Sequence, residues 1–330
     1  MSLLTNSLNI NLPEQPLILA PMEDVTNPPF RTFCKRYGAD WLYSEFVSAD
    51  ALVRSVDKSL KKLAIRDEER PVTIQIYGRF IDSMVEAARM VEAVKPDCID
   101  INFGCPVKRV AQKGAGAGML KNIPLMVEMA SQIVKAVNIP VTAKTRIGWD
   151  MENIIIDDIA ERLQDVGIRA LAIHGRTRSQ MYTGSANWEP IAKVKANPRI
   201  HIPIIGNGDI SSPQQAKDAF DKYGVDGIMI GRATIGKPCI FKQIKHYLNS
   251  GEILPEISVS EQIGIIKEQI KMTVEWLDEP RGIIHSRRHL AAMFKGLPNF
   301  RELRIKMLQS SNINELWDAF AEIEHKYCSY

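Results

Sequence analysis

Eight short apolar runs, spaced regularly along the first three quarters of the chain, constrain the fold more than any other feature of the sequence. Runs that are apolar throughout, rather than alternating with polar residues, are typical of parallel strands covered on both faces. Each gap between successive runs has room for a loop and one helix. The runs occupy residues 17–22, 41–46, 72–78, 98–104, 141–146, 170–176, 203–208 and 227–232.

The segments between these runs carry helical periodicity. In one of them, Met84, Ala88, Val91 and Val94 fall on one face of a helix. Eight alternating strand and helix units predict an α/β fold, a (β/α)8 TIM barrel, which needs about 250 residues. A doubly wound parallel sheet is the alternative, and the number and spacing of the strands do not separate the two.

Chemically unusual residues stand at or just after the carboxyl ends of the predicted strands. In a barrel these ends converge on one face, where active sites are built. The barrel therefore gathers residues that are far apart in the sequence into one candidate site. They are Pro21, Gln75, Cys105, Lys144, His174, Asn207 and Gly231.

After residue 250 the strand-like runs stop. Residues 248–262 form a linker punctuated by glycine and proline, in which Ser258 or Ser260 is placed to cap the next helix. The remainder predicts a small α-helical bundle, so we expect two domains, residues 1–250 and residues 251–330. The predicted helices cover residues 260–278, 284–295, 299–309 and 313–327.

Composition excludes several classes of protein. The 330 residues are 45% hydrophobic and 25% charged, which is ordinary for a globular chain and rules out disordered, collagen-like and disulfide-scaffold proteins. The net charge of +3 gives no global field for binding a polyanion, so any nucleic-acid affinity must come from a local patch.

Cysteine usage and the N-terminal segment indicate the compartment. The five cysteines are widely spaced and form no CxxC pair or Cys/His cluster, so we expect free thiols, a reducing compartment and no metal site. Residues 1–15 lack the basic and apolar regions of a signal peptide, and no stretch approaches the roughly 20 apolar residues of a membrane span. We therefore expect a cytoplasmic protein.

Two glycine-bearing segments, residues 204–210 and 228–238, follow the seventh and eighth predicted strands. Barrels often bind phosphate in these two loops, where glycine lets backbone N–H groups approach the ligand. Arg232 is placed to add a charge-assisted hydrogen bond. The plainer interpretation is that the glycines only make tight turns.

Lys144 lies within an apolar strand, and His174 lies on the next one. A lysine in such a strand needs an anionic partner, and a reduced flavin carries negative charge that a nearby cation would stabilise. Gln75 has a carboxamide that can pair with the edge of a flavin ring. The alternative for Lys144 is a structural ion pair with a barrel carboxylate such as Asp100.

Cys105 stands between Gly104 and Pro106 at the end of the fourth predicted strand, which places its thiol at the barrel mouth. A thiol with a pKa near 8.5 is protonated at neutral pH and can act as a general acid toward a developing carbanion. The other cysteines are better interpreted as small buried apolar residues. The glycine- and lysine-rich residues 108–120 are expected to form a mobile loop beside the site.

At these residues the sequence resembles the tRNA-dihydrouridine synthases, and it is most similar to their bacterial B-type subfamily. The matching segments follow the family's order between residues 17 and 296, so the resemblance covers most of the chain. They are LAPMEDVTNPPFR, QIYG, INFGCPVKRVAQKGAGAGML, AKTRIGW, HGRTRSQMYTGSANW, IIGNGDI, DGIMIGRATIGKP and RRHLAAMFKG.

The resemblance implies an FMN-binding barrel and a helical tRNA-binding domain, with NADPH as the reductant and uridine in tRNA as the substrate. It places the proton donor at Cys105. Glu23 stands where the family commonly has alanine, so a contact from this position to FMN is expected through the backbone. The other implied FMN contacts are Pro21, Met22, Gln75, Lys144, His174, Asn207, Gly208, Asp209, Gly231 and Arg232.

A local basic patch fits the tRNA partner. Residues 281–306 contain seven lysines and arginines and one acid, whereas the whole chain carries only +3. Arg287, Arg288 and Lys295 are offset by seven or eight residues, about two helical turns, and are predicted to form one phosphate-binding stripe. The alternative is a solvated helical face.

Two other functions stay open on the sequence: a flavin-dependent barrel that reduces a free pyrimidine or an enone, and a non-catalytic RNA-binding protein. The helical domain disfavours the first, and the retained Cys105, Lys144 and His174 disfavour the second. A monomer is favoured.

Overall fold

The computed structural model describes residues 2–328, and its centre is a closed barrel of parallel strands. In this part of the chain the strands are β1 (Leu17–Leu19), β2 (Trp41–Tyr43), β3 (Val47–Ser48), β4 (Val72–Tyr77), β5 (Cys98–Asn102), β6 (Val141–Arg146), β7 (Leu171–His174), β8 (Ile204–Asn207) and β9 (Gly227–Ile230). β1 pairs with both β2 and β9, and β2 pairs with β4, so eight strands close. β3 is a two-residue addition to β4. The predicted TIM barrel is confirmed, and closure excludes the doubly wound alternative.

Helices surround this barrel. They are α1 (Leu3–Leu8), α2 (Pro28–Arg36), α3 (Ala49–Val53), α4 (Asp57–Lys61), α5 (Ile81–Ala93), α6 (Lys108–Ala111), α7 (Ile123–Ala136), α8 (Ile156–Asp165), α9 (Glu189–Ala196), α10 (Pro213–Tyr223) and α11 (Ile240–Ser250), with short 3-10 helices at Asp67–Glu69, Gly116–Lys121 and Arg232–Thr234. Most of them pack their apolar faces on the outer faces of the strands and form the largest core cluster, whereas α1 closes the amino end of the barrel.

The barrel interior is filled and closed at its amino end. Leu4 and Leu8 of α1 are fully buried and join the interior cluster with Ile18, Trp41 and Tyr43. Because this end is plugged by apolar side chains, the carboxyl ends of the strands form the open end.

Strand register sets which polar residues meet at that open end. Gln75 lies opposite Asp100, and Asn102 lies opposite Lys144. His174 has Arg146 on one side and Asn207 on the other. Polar side chains from five successive strands are thus brought side by side.

Up to residue 328, the last one described, four helices follow the barrel: α12 (Val259–Leu277), α13 (Glu279–Ala292), α14 (Arg301–Gln309) and α15 (Ile313–Tyr327). Ser258 caps α12, and its capping box with Glu261 selects it over Ser260. Apolar residues of these helices, among them Ile266, Leu290 and Phe320, form a cluster of their own.

The predicted helix over residues 284–295 is wrong at both ends. Asp278 has a φ of 102°, which ends α12, and its side chain accepts a hydrogen bond from the N–H of Arg281, which starts α13. Pro280 favours a first helical turn there. At the other end Met293 is extended, so Lys295 lies beyond the helix.

The helical region packs directly on the barrel. The ring of His289 lies 4.5 Å from that of Phe30 in α2, and Arg36 pairs with Glu268 at 2.8 Å. Within residues 2–328, no helix combines the length and the hydropathy required to cross a membrane.

Candidate active site

A cavity of about 410 Å³ opens at the carboxyl ends of the strands. A volume in this range is typical of small-molecule and cofactor sites. Most of the residues predicted for the site line this cavity. They are Pro21, Met22, Cys105, Lys144, His174, Asn207, Gly208, Asp209, Gly231 and Arg232.

Asn207 is the hydrogen-bonding centre of the cavity floor. Its Nδ2 donates to the carbonyl of Met229 (2.7 Å), which leaves Oδ1 as the acceptor. Oδ1 accepts a hydrogen bond from Nζ of Lys144 (3.0 Å) and lies 2.8 Å from Nδ1 of His174. His174 therefore carries its proton on Nδ1. Its Nε2, a buried acceptor in the cavity wall, has no hydrogen-bond partner among residues 2–328.

Burial lowers the pKa values of both basic side chains, Lys144 and His174. It lowers the pKa of Lys144 to about 8, and the neighbouring Arg146 acts in the same direction. It also lowers the pKa of His174 well below its usual 6.5, with Lys144 contributing. At neutral pH the cavity thus presents a lysine ammonium beside a neutral imidazole.

The alternative interpretation of Lys144, an ion pair with Asp100, is wrong. The two oxygens of Asp100 accept hydrogen bonds from Thr142 Oγ1 and Gln75 Nε2, each at 2.6 Å. Lys144 donates instead to Asn207 at the cavity floor.

The two glycine-bearing loops lie side by side at the cavity rim. Gly208 has a φ of 137°, and a Cβ at this position would lie 2.6 Å from Cβ of Ala186, so only glycine fits. Asp209 receives a bidentate hydrogen bond from Arg176 (2.8 and 2.6 Å) and a single one from Arg232 (2.8 Å). Two guanidinium groups share one carboxylate here, which leaves positive charge at the rim for an anion.

Cys105 faces the cavity and is 7% exposed. The Oδ1 of Asn102 accepts hydrogen bonds from the backbone N–H groups of Gly104 (3.0 Å) and Cys105 (2.8 Å), which fixes the turn that carries the thiol. Gly116 packs behind it, where a Cβ would lie 3.0 Å from Cβ of Cys105. Burial raises the pKa of Cys105, so the group is a thiol at neutral pH.

Arg146 and Tyr182 line the cavity as well, although neither was predicted as a site residue. Nε of Arg146 donates to the carbonyl of Gly104 (2.8 Å), and Nη1 donates to the carbonyls of Thr177 and Met181 (2.9 Å each). Burial lowers the pKa of Arg146 to about 10, so it remains cationic. Its position two residues after Lys144 on one strand was the available signal.

Tyr182 is 52% exposed and lies between two cations at the mouth. The guanidinium carbons of Arg146 and Arg232 are 5.8 and 5.3 Å from the centre of its ring. An exposed aromatic ring in this position is suited to contact a planar ligand.

Two predicted cofactor residues lie outside the cavity lining. Gln75 is fully buried, and its carboxamide is bonded to Asp100 and Asn102 beneath the cavity. The side chain of Glu23 pairs with Lys62 at 2.7 Å instead of facing the cavity. A contact from the Glu23 backbone to a cofactor stays a prediction.

Glu23, Asp24 and Glu45 bring carboxylate oxygens within 4.8 Å of one another. Two cations offset part of this charge: Lys62 lies 2.7 Å from Glu23 and 3.5 Å from Glu45, and Arg288 pairs with Asp24 at 2.9 Å. This cluster therefore has the composition of an ion-pair network that joins the barrel to α13.

The predicted tRNA-binding stripe is not a single helical face. Arg287 is partly buried and donates to the carbonyl of Ser310 (3.2 Å). Arg288 donates to the carbonyl of Glu23 (3.0 Å) besides pairing with Asp24. Lys295 is exposed beyond the end of α13. The three residues thus occupy different environments, and their binding of tRNA stays a prediction.

Solved structures with the same architecture include a histamine dehydrogenase from Rhizobium sp. 4-9, with a TM-score of 0.55 and 12% identity over 78% of this chain and 48% of that one. Another is a morphinone reductase variant in complex with tetrahydroNAD, with a TM-score of 0.52 and 11% identity over 75% of this chain and 90% of that one. At such low identity the likeness concerns the fold alone.

Sequence relatives are much closer. A tRNA-dihydrouridine synthase B of Pseudomonas aeruginosa is 39% identical over 306 residues, 93% of this chain and 90% of the relative. The protein of the same description from Pseudomonas putida is 40% identical over 88% of this chain and 86% of the relative. A probable tRNA-dihydrouridine synthase of Rickettsia conorii is 39% identical over 87% of each chain. The defining pattern of the dihydrouridine synthase (Dus) family matches residues 18–326, and this chain therefore belongs to that family.

Proposed function

We propose that this protein reduces uridine in tRNA to 5,6-dihydrouridine, with FMN as its cofactor and NADPH as the reductant. The observation that supports this best is one cavity that joins a protonated thiol, Cys105, to the Lys144–Asn207–His174 cluster and to two glycine-bearing loops. A general acid, a cation and a phosphate site are the three elements that such chemistry needs.

The residues present fit FMN. Nε2 of His174 is a buried acceptor without a partner in the described part of the chain, and Lys144 Nζ has donors left after its bond to Asn207. Gly208, Gly231 and Arg232 would hold the phosphate at the rim. When bound, FMN supplies the hydride, taken from NADPH, that is added to C6 of the uracil ring.

Cys105 would complete the reduction by giving its proton to C5. One hydride and one proton then add across the C5=C6 bond, and the thiol becomes a thiolate that recovers a proton from solvent. The raised pKa of Cys105 keeps the proton in place until negative charge develops on the uracil ring. Arg146, held against the carbonyl of Gly104, puts a cation near the resulting thiolate.

We assign the catalytic site to residues 1–250 and tRNA binding to residues 251–330. A uracil stacked inside a folded tRNA cannot reach the cavity, so it must be flipped out. The separate core of α12–α15 and its docking beside the cavity mouth support a role in holding the rest of the tRNA.

The test begins with the purified protein, which should be yellow and should release FMN, not FAD, on denaturation. Transfer RNA from a strain that lacks the gene should gain dihydrouridine when incubated with the protein and NADPH. Turnover of free uridine or an enone, but not of tRNA, would favour the small-molecule alternative. A colourless protein that cannot be reconstituted with FMN would overturn the proposal.

A further inference from the structure

Three charged side chains meet where the loops after β7, β8 and β9 come together at the cavity rim. Arg176 donates two hydrogen bonds to the carboxylate of Asp209, at 2.8 and 2.6 Å, and Arg232 donates a third at 2.8 Å. Arg176 also donates to the carbonyls of Thr183 (3.2 Å) and Gly184 (2.6 Å). All three nitrogens of Arg176 are thus bonded to the protein, whereas Arg232 uses one nitrogen for Asp209 and has others for a ligand.

The two arginines differ in their exposure. The side chain of Arg176 is 3% exposed, and Arg176 lies outside the cavity lining. The side chain of Arg232 is 53% exposed, and Arg232 lines the cavity together with Asp209. Because Arg176 does not border the cavity, any effect that it has on a bound cofactor must pass through its partners.

Asp209 places a negative charge where a phosphate group is expected. Arg232, which would hold the phosphate of FMN, also pairs with Asp209, so one guanidinium has both anions as neighbours. Like charges repel, and a carboxylate that took up the whole fork of Arg232 would also draw it away from the phosphate. Two arginines against one carboxylate leave one net positive charge at this rim, and Arg176 is the arginine that offsets Asp209.

We propose that Arg176 is a positioning residue for the phosphate group of FMN, because it neutralises Asp209 and thereby lets Arg232 bind the phosphate. Arg176 acts through the Asp209 carboxylate and does not touch the cofactor. A contact from the backbone of Asp209 to FMN is compatible with this role. The inference rests on the proposed function in taking FMN as the cofactor.

Riboflavin separates this role from a purely structural one, because it has the ring system of FMN without the phosphate group. Loss of the Arg176 cation should weaken the binding of FMN and leave the binding of riboflavin unchanged. A general distortion of the cavity would weaken the binding of both flavins. The two dissociation constants are measured by the quenching of flavin fluorescence on titration with cofactor-free protein.

Arg176→Met removes the cation and keeps an apolar stem. The dissociation constant of FMN should rise by about 10-fold, the size expected for an unneutralised like charge beside the phosphate in a partly solvated site. The dissociation constant of riboflavin should not change. If Arg176→Met does not fold, Arg176→Gln, which keeps an N–H donor for Gly184 without the charge, should give the same pattern.

A double variant that combines Arg176→Met with Asp209→Asn gives the most direct comparison. It has neither the buried arginine nor the carboxylate and keeps Arg232, so its net charge at the rim equals that of wild type. FMN affinity should therefore return to the wild-type level. No recovery is expected if Arg176 acts only by bonding the carbonyls of Thr183 and Gly184, because the second substitution does not restore those bonds.

Arg178→Met is the matched control. Arg178 lies two residues after Arg176, and its guanidinium carbon is 4.8 Å from the centre of the Trp149 ring. The substitution lowers the charge of the chain by the same amount without removing a partner of Asp209. Both flavins should therefore bind to it as they bind to wild type.

Four results would overturn the proposal: equal weakening of FMN and riboflavin binding in Arg176→Met, unchanged FMN affinity in that variant, no recovery in the double variant, or the same loss in Arg178→Met. Failure of the proposed function is seen in wild type itself. Wild type that binds FMN without reducing uridine in tRNA would refute the function and leave the role of Arg176 standing, whereas wild type that binds no flavin would refute both.

Discussion

The cations of the barrel mouth and those of α13 differ in what holds them. Lys144, Arg146 and Arg176 bond to partners on other strands of the barrel or on the loops that follow them, and the Arg176 side chain is only 3% exposed. Arg288 is 53% exposed, and its partners Glu23 and Asp24 belong to the barrel. Lys295 is exposed beyond the helix end.

This difference shows which charged residues can be assigned to a site from the sequence. Parallel strands place successive carboxyl ends side by side, so a cation on the inward face of a strand end points to the shared cavity. A cation on a surface helix has no such constraint. It can contact solvent, RNA or another part of the same chain, and Arg288 contacts the barrel.

The largest effect is expected within the barrel mouth, at its proton donor. Cys105→Ala should lower uridine reduction in tRNA by about 10²–10⁴-fold, the usual cost of losing a general acid. FMN content and the NADPH half-reaction should persist, because the Lys144–Asn207–His174 cluster is untouched. Single-turnover kinetics with pre-reduced protein measures the loss.

Cys98→Ala is the matched control for this variant. Cys98 is fully buried in the barrel interior, away from the cavity lining, so its replacement should lower stability more than rate. Near-normal turnover in Cys105→Ala would remove the thiol from the mechanism.

The next largest effect concerns cofactor affinity. Lys144→Met removes the ammonium beside Asn207 and keeps most of the apolar stem. Hydrogen bonds to charged groups contribute about 1.5–3 kcal/mol, so FMN affinity should fall by about 10–100-fold. Titration of the cofactor-free protein by flavin fluorescence measures this. Lys217→Met, on exposed α10, should bind FMN like wild type, and equal affinity in both variants would contradict the assignment.

The sequence predicted those site residues whose positions follow from the order of the strand ends alone. Lys144, His174 and Asn207 converge because β6, β7 and β8 are neighbours in parallel register. Gln75 lies on such a strand too, but its carboxamide meets Asp100 and not the cavity. Which acceptor an amide selects depends on side-chain geometry across strands, which spacing does not encode.

The helical region was predicted less well, because the start of α13 and the partner of Arg288 were not recognised from the sequence. Apolar periodicity identified the four helices α12–α15, but it missed the start of α13, which is set locally by the cap at Asp278 and by Pro280 in the first turn. The partner of Arg288, Asp24, lies 264 residues earlier in the chain. No local pattern reveals such a contact, so the sequence alone did not predict that Arg288 pairs with the barrel.

A pH effect should appear where α13 docks on the barrel. His289 is buried against Phe30, its Nδ1 accepts the N–H of Gly236 at 3.2 Å, and burial lowers its pKa to about 3, with His285 and Arg288 acting in the same direction. An unfolded histidine titrates near 6.5. Between these pH values the unfolded chain binds more protons, so stability falls as pH falls below about 6.5.

His289→Asn tests this, since asparagine can keep an acceptor for Gly236 without titrating. Wild type should lose about 2 kcal/mol relative to the variant between pH 7 and pH 5. Urea unfolding of both proteins at the two pH values gives the difference, in which the other titrating groups cancel. A constant difference would mean that His289 is not held neutral by its burial.

The smallest effect should come from the exposed end of α13. Lys295 makes no hydrogen bond or ion pair within residues 2–328, so it can contact a phosphate without breaking a protein contact. Lys295→Ala should make the salt dependence of tRNA binding shallower by about 0.7–0.9 slope units, the value for one lost phosphate contact. Filter binding at several salt concentrations measures the slope, with Lys193→Ala on α9 as the control.

Arg288→Ala sharpens the comparison, because Arg288 must leave Asp24 before it can contact tRNA. An equal loss of slope in Arg288→Ala would show that this ion pair opens on binding, whereas an unchanged slope in Lys295→Ala would remove Lys295 from the RNA contact.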